Sequence, residues 1–92
     1  MPEVHRLFDK NTAGAPIIAT LQKTVFANFL PVSVTGSPVK PHGPGKHHKP
    51  FTGIGCPNVF ANYLPVNVRG NIDTCGHIRA FGSPNVFIYG IL

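Results

Sequence analysis

The chain has 92 residues and carries eight Lys and Arg against three Asp and Glu, a formal charge of +5, in a length that suits one small domain. Hydrophobic residues reach 42% and charged ones only 12%, which excludes a disordered polar chain. Two Cys are too few for a disulfide-stapled scaffold. No window of about 20 residues is apolar enough for a membrane-spanning helix, and Met1–Arg6 offers no apolar stretch for a signal peptide. A chain this short buries a modest core, and such domains gain stability from a metal or a permanent partner. Five His and two Cys point to the metal.

Val4-His5-Arg6-Leu7-Phe8-Asp9 opens the chain as a degraded copy of a unit that returns later. His5 matches no other ligand candidate and reads as a surface residue. Residues 16–23 are the only helix candidate, and a short one. Thr24 to Gly36 then reads Thr-Val-Phe-Ala-Asn-Phe-Leu-Pro-Val-Ser-Val-Thr-Gly, and nine of its 13 positions recur from Asn58 to Gly70, at an offset of 34. Gly55-Cys56-Pro57-Asn58-Val59-Phe60 matches Gly82-Ser83-Pro84-Asn85-Val86-Phe87 at five of six positions, at an offset of 27. Such self-similarity is the signature of a repeat architecture. Val-Phe and Pro-Val-x-Val read as short strands. Ala-Asn-Phe-Leu and Ala-Asn-Tyr-Leu supply the turn between them, since Asn tolerates a left-handed backbone. Pro31 and Pro65 lack an N–H and belong at a strand's first residue or on an edge. The chain is therefore expected to be all-β, with one domain over residues 1–92 and pseudo-repeats at about 4–36, 37–70 and 71–92.

The connectors carry the chemistry. Ser37 to Pro50 holds four Pro and two Gly, leaving no regular hydrogen-bonding element. A loop of that length in a small domain has a function or is disordered. It contains His42, His47 and His48, and the next connector holds Cys75-Gly76-His77. Both groups follow a Val-x-Val-x-Gly strand, so stacked repeats bring the two loops to one end. Three imidazoles and one thiolate make a closed tetrahedral set, which suits structural zinc. The expected ligands are His42, His48, Cys75 and His77, with His47 as the alternate to His48. The competing reading is a solvated basic loop. Cys56 reads as a small buried turn residue, and a Cys56–Cys75 disulfide is the arrangement that would remove the thiolate. Asp73 reads as a support for His77 or a loop cap. Three acids in the whole chain make paired-carboxylate catalysis a poor fit. The +5 charge comes without an Arg-rich stripe, so no nucleic-acid partner is expected.

The phased Gly-Ser-Pro-Asn-Val-Phe and Pro-Val-x-Val-x-Gly units, with ligand-bearing loops between them, resemble the PAAR-repeat family over roughly residues 4–90. That family caps the spikes of contractile phage tails and type VI secretion systems. The resemblance implies a small cone, a three-faced pyramid of short β-hairpins, with zinc near its vertex on three His and a Cys; iron suits the same donors. It implies a non-catalytic tip seated one copy per trimer on a β-helical spike, at the baseplate end of a virion tail, meeting the host envelope transiently. The alternative it carries is a zinc-binding adaptor that attaches effectors to a secretion spike. The family's Pro-Ala-Ala-Arg is here Pro31-Val32-Ser33-Val34 and Pro65-Val66-Asn67-Val68. Its following Gly-Asp is Phe8-Asp9, Gly36-Ser37 and Gly70-Asn71, and Leu21 stands where later copies have Gly55 and Gly82. With its last residue at Leu92, the chain is expected to be a stand-alone tip that carries no effector domain.

Overall fold

The two best-matched repeat segments fold alike. The computed structural model describes residues 2–88, and in it β1 (Phe26–Ala27) pairs with β2 (Leu30–Pro31), and β3 (Phe60–Ala61) with β4 (Leu64–Pro65), each pair antiparallel. The turns contain Asn28-Phe29 and Asn62-Tyr63, all at positive φ: 53°, 67°, 50° and 72°. Two successive positive-φ residues make the mirror-image turn that suits the twist of a tight hairpin. A third hairpin would begin near Phe87, and it and the end of the third pseudo-repeat lie outside the described residues.

The three copies meet in a closed ring. The His5 amide donates to the Asn67 carbonyl (3.0 Å), the Ser33 amide to His5 (2.9 Å) and the Asn67 amide to Ser33 (2.9 Å). Antiparallel bridges Val4–Val68, Arg6–Val32 and Val34–Val66 flank these bonds. His5, Ser33 and Asn67 are thus equivalent positions, and all three are fully buried. The expectation that His5 lies on the surface is overturned. Its Nε2–H donates to the Ala80 carbonyl at 2.8 Å, and its place in the ring leaves it no route to water.

Each ring segment is followed by the same turn. Asp9, Ser37 and Asn71 accept the backbone N–H three residues back, that of Arg6 (2.7 Å), Val34 (3.2 Å) and Val68 (2.7 Å), through side-chain oxygens. One short oxygen-bearing side chain does the work in all three copies, so Asp, Ser and Asn interchange. The preceding residues, Phe8, Gly36 and Gly70, have φ of 76°, 86° and 96°. Glycine adopts this conformation without strain and phenylalanine does not. The first copy is divergent here in sequence but not in shape.

Gln22 shows how that copy compensates elsewhere. In later copies the backbone N–H of Cys56 donates to Val66 and that of Ser83 to Val4. In the first copy the buried Gln22 side-chain Nε2 donates to Val32 (2.8 Å), while its Oε1 accepts from Thr24 and Val25. A side-chain amide replaces a main-chain one.

No helix forms over 16–23, because Ile17 is buried and pairs with Val39 and Pro16 pairs with Lys10. Among the described residues the one helical turn is a 3-10 turn at Gly45–His47, inside the connector expected to have no regular element. Val4, Ala27, Val32, Val34, Ala61 and Val66 form the main core, and Ala15, Ile17 and Val39 a smaller one. The cores are narrow, since valine and alanine dominate them. The molecule measures 34 × 23 × 23 Å along its principal axes.

Candidate metal centre

Beyond the ring, the three connectors are stitched together. Each closes on itself through one bridge: Lys10–Pro16, Pro38–Phe51 and Ile72–Ile78. Asn11 bridges to Arg79, Ile17 to Val39, and the Thr74 amide donates to Phe51 at 2.8 Å. Cyclic pairing holds the loops against one another.

The middle loop is the longest and folds back on itself. The His42 amide donates to the His47 carbonyl (3.0 Å), and the 3-10 turn brings the two rings to 5.0 Å between centroids. In the third loop, the Asp73 amide bonds to His77 (2.8 Å) and the Gly76 amide to Asp73 (2.9 Å). That tight turn places buried Cys75 and half-buried His77 facing the middle loop. The His77 ring lies 5.2 Å from His42 and 5.1 Å from His47, so the imidazoles form a near-equilateral triangle.

His42, His47, Cys75 and His77 offer ligand atoms that all lie within 4.8 Å of one another. His47 Nδ1 is 3.2 Å from His42 Nε2, and Cys75 Sγ is 3.6 Å from the same nitrogen. A tetrahedral ion with metal–nitrogen bonds of about 2.0–2.1 Å and a metal–sulfur bond of about 2.3 Å requires edges of roughly 3.3 and 3.6 Å. These two separations match those edges. The four residues can therefore hold a metal ion.

Two contacts orient the donors. His42 Nδ1–H donates to the Lys40 carbonyl at 3.0 Å, which leaves its Nε2 lone pair for an ion. His77 Nδ1 lies 3.4 Å from the Thr12 hydroxyl, supplied by the first loop, whose own connector brings no ligand. Partial desolvation holds the His47 imidazole below its ordinary pKa, with His42, His77 and Lys46 adding to the effect. That favours the neutral ring a metal needs.

The sequence preference for His48 over His47 is not followed. His47 ends the 3-10 turn with its carbonyl tied to His42, whereas His48 comes one residue later and is exposed. Spacing alone carries no information on which of two neighbouring rings faces inward. Cys56 is buried in its turn, with Sγ 3.1 Å from Asn58 Oδ1, and forms no disulfide with Cys75.

The Asp73 carboxylate makes no hydrogen bond to the His77 ring. It forms a fully buried ion pair with Arg79 (2.7 Å) and accepts from Asn11 Nδ2 (2.9 Å). Arg79 NH1 donates to the Asp9 carbonyl at 3.3 Å. Burial pushes the Arg79 guanidinium down from its ordinary pKa, and the Asp73 carboxylate opposes that shift. Sequence reading did not single out Arg79, since an arginine after an isoleucine carries no pattern.

No protein-family model matches the chain, and no curated protein is detectably similar to it.

Proposed function

We propose that this chain is the metal-stabilised tip of a spike in a contractile phage tail, a PAAR-like protein that performs no catalysis. The observation that carries the reading is the closed three-membered hydrogen-bond ring of His5, Ser33 and Asn67. A single chain with this pseudo-threefold symmetry can seat on a trimeric β-helical spike, one copy per trimer. The spike's strand ends would otherwise stay open.

Several features support the direction of the arrangement. On the hairpin side of the ring, Val25, Phe26, Val59, Phe60, Val86 and Ile88 surround an apolar cavity of about 190 Å³. The turn residues Phe29 and Tyr63 are 98% and 97% exposed. A contiguous apolar face of this kind suits burial against a partner. In the loops, four protein donors can together fill the coordination of a tetrahedral ion, which would leave no position for a reactive water. That suits a structural ion, and a His₃Cys set suits zinc. In this reading the body is a cone, the hairpins are its base and the metal loops its point, which opens a passage through the host envelope.

Stoichiometry tests the proposal. Mixed with a trimeric tail-spike protein from the same genome and sized by light scattering, the chain is expected to bind at one copy per three spike chains. Equal numbers of each, or no complex at all, would overturn the reading.

A further inference from the structure

Two kinds of cation are separated in this molecule. Every acidic residue is held by an arginine: Asp9 by Arg6 (2.9 Å), Glu3 by Arg69 (3.4 Å) and Asp73 by Arg79 (2.7 Å). The lysines have no acidic partner among the described residues. The net charge of +5 is therefore the charge of the five lysines.

Their placement is uneven. Lys40, Lys46 and Lys49 are exposed on the loop that carries His42 and His47, and exposed Lys10 stands at the foot of the neighbouring loop. Lys23 alone lies toward the hairpins, three residues before β1. Between residues 40 and 49, the exposed positions other than Lys and His48 are Pro and Gly. The loop is thus cationic and rich in stiff turns, and its exposed positions between residues 40 and 49 include no acid; exposed Phe51 follows it, and Phe8 and Phe81 stand beside Lys10.

We propose that this end binds the phosphate headgroups of an anionic lipid surface. Lysines on a convex point can reach a planar array of phosphates together, and each adds to attraction near a negatively charged leaflet. A duplex nucleic-acid partner is disfavoured, because it needs a tracking stripe or an element that enters a groove. The inference rests on the reading of this end as the leading point, and adds the chemistry of the surface it meets.

The test is sedimentation of the full chain with vesicles of phosphatidylglycerol and phosphatidylcholine in equal parts, against vesicles of phosphatidylcholine alone. Binding is expected to the anionic vesicles only. It should fall away as salt rises from about 0.1 to 1 M, where the screening length contracts from about 10 to 3 Å. At roughly fivefold per lysine, the K40Q/K46Q/K49Q variant should bind on the order of a hundredfold more weakly, while K23Q stays within about twofold. Inorganic phosphate at matched concentration should not compete, since it cannot engage several lysines as one surface. Equal binding to both vesicles, indifference to salt in the unmodified chain, or a triple variant that binds normally would each overturn the proposal. So would duplex DNA displacing the vesicles at equal phosphate concentration, which would assign the lysines to nucleic acid. Spike stoichiometry should be unchanged in the triple variant. In the unmodified chain, spike docking without binding to anionic vesicles therefore counts against this inference alone, and lipid binding without spike docking counts against the proposed function.

Discussion

His5 occupies a position where its two equivalents, Ser33 and Asn67, satisfy one another through a 2.7 Å side-chain hydrogen bond. Its Nε2 reaches Ala80, but its buried Nδ1 has no partner among the described residues. A second proton on that ring would be buried without an acceptor. Burial, then the nearby Arg79 charge, holds the His5 pKa below its ordinary value. The folded state thus prefers neutral His5, so its contribution is complete above the unfolded value of about 6.5 and is lost as pH falls through the lowered folded value. The melting temperature should fall as pH drops below about 6.5, and fall less in His5→Asn, which copies Asn67. Parallel curves for the two proteins would show that His5 is not the group responsible. The neighbouring histidines 47 and 48 give the second residue-scale test. Metal analysis of purified variants should find about one zinc per chain in the parent and in His48→Ala, and a loss of bound zinc in His47→Ala and Cys75→Ala. Retention in Cys75→Ala would remove the thiolate from the site.

The hairpins place strain where their exposure is greatest. An L-residue in the left-handed region is disfavoured by roughly 1–2 kcal/mol, and Asn escapes part of that cost through local hydrogen bonds while Phe and Tyr do not. Phe29 and Tyr63 nevertheless occupy it, with their rings in solvent. Nothing among the described residues rewards an aromatic ring there; a partner surface would. Phe29→Gly should leave thermal stability unchanged or raise it by a fraction of a kcal/mol, since relieved strain is offset by the chain entropy of glycine. The same variant should weaken spike binding by about tenfold or more. If docking is unaffected, the hairpin tips are not anchors. At this scale the repeat identity foretold the turns at Asn28 and Asn62. It did not foretell Gln22, whose role depends on a side chain replacing a backbone donor across space, nor the extended path of 16–23, whose apolar residues suit helix and strand alike.

The whole molecule joins a ring made of main-chain bonds to a group of side chains that could hold an ion. The ring draws on residues far apart in sequence, so it forms only when all three copies are present, and it contains no metal ligand. The loops have little core of their own beyond Ala15, Ile17 and Val39. Chelation is therefore expected to act locally. In hydrogen exchange after metal removal, the amides of His42, His47 and Asp73 should exchange faster, while those of His5, Ser33 and Asn67 stay protected. Uniform acceleration across both sets would mean that the ion holds the entire fold.

Sequence alone determined that the chain is β-rich and built of repeats, because repetition and turn chemistry are local and survive in a one-dimensional record. It also brought His42, Cys75 and His77 forward, since ligand types cluster at equivalent points of two copies. Tertiary structure decided what depends on direction. The 3-10 turn at Gly45–His47 chose His47 over His48, ring closure buried His5, and the pairing of Arg6, Arg69 and Arg79 with the three acids left the lysines unneutralised. The +5 charge was legible at once as a number. So was the clustering of Lys40, Lys46 and Lys49 in one loop. Which charges cancel was not, because that is settled by distance in space, and the partners Glu3 and Arg69 stand 66 residues apart.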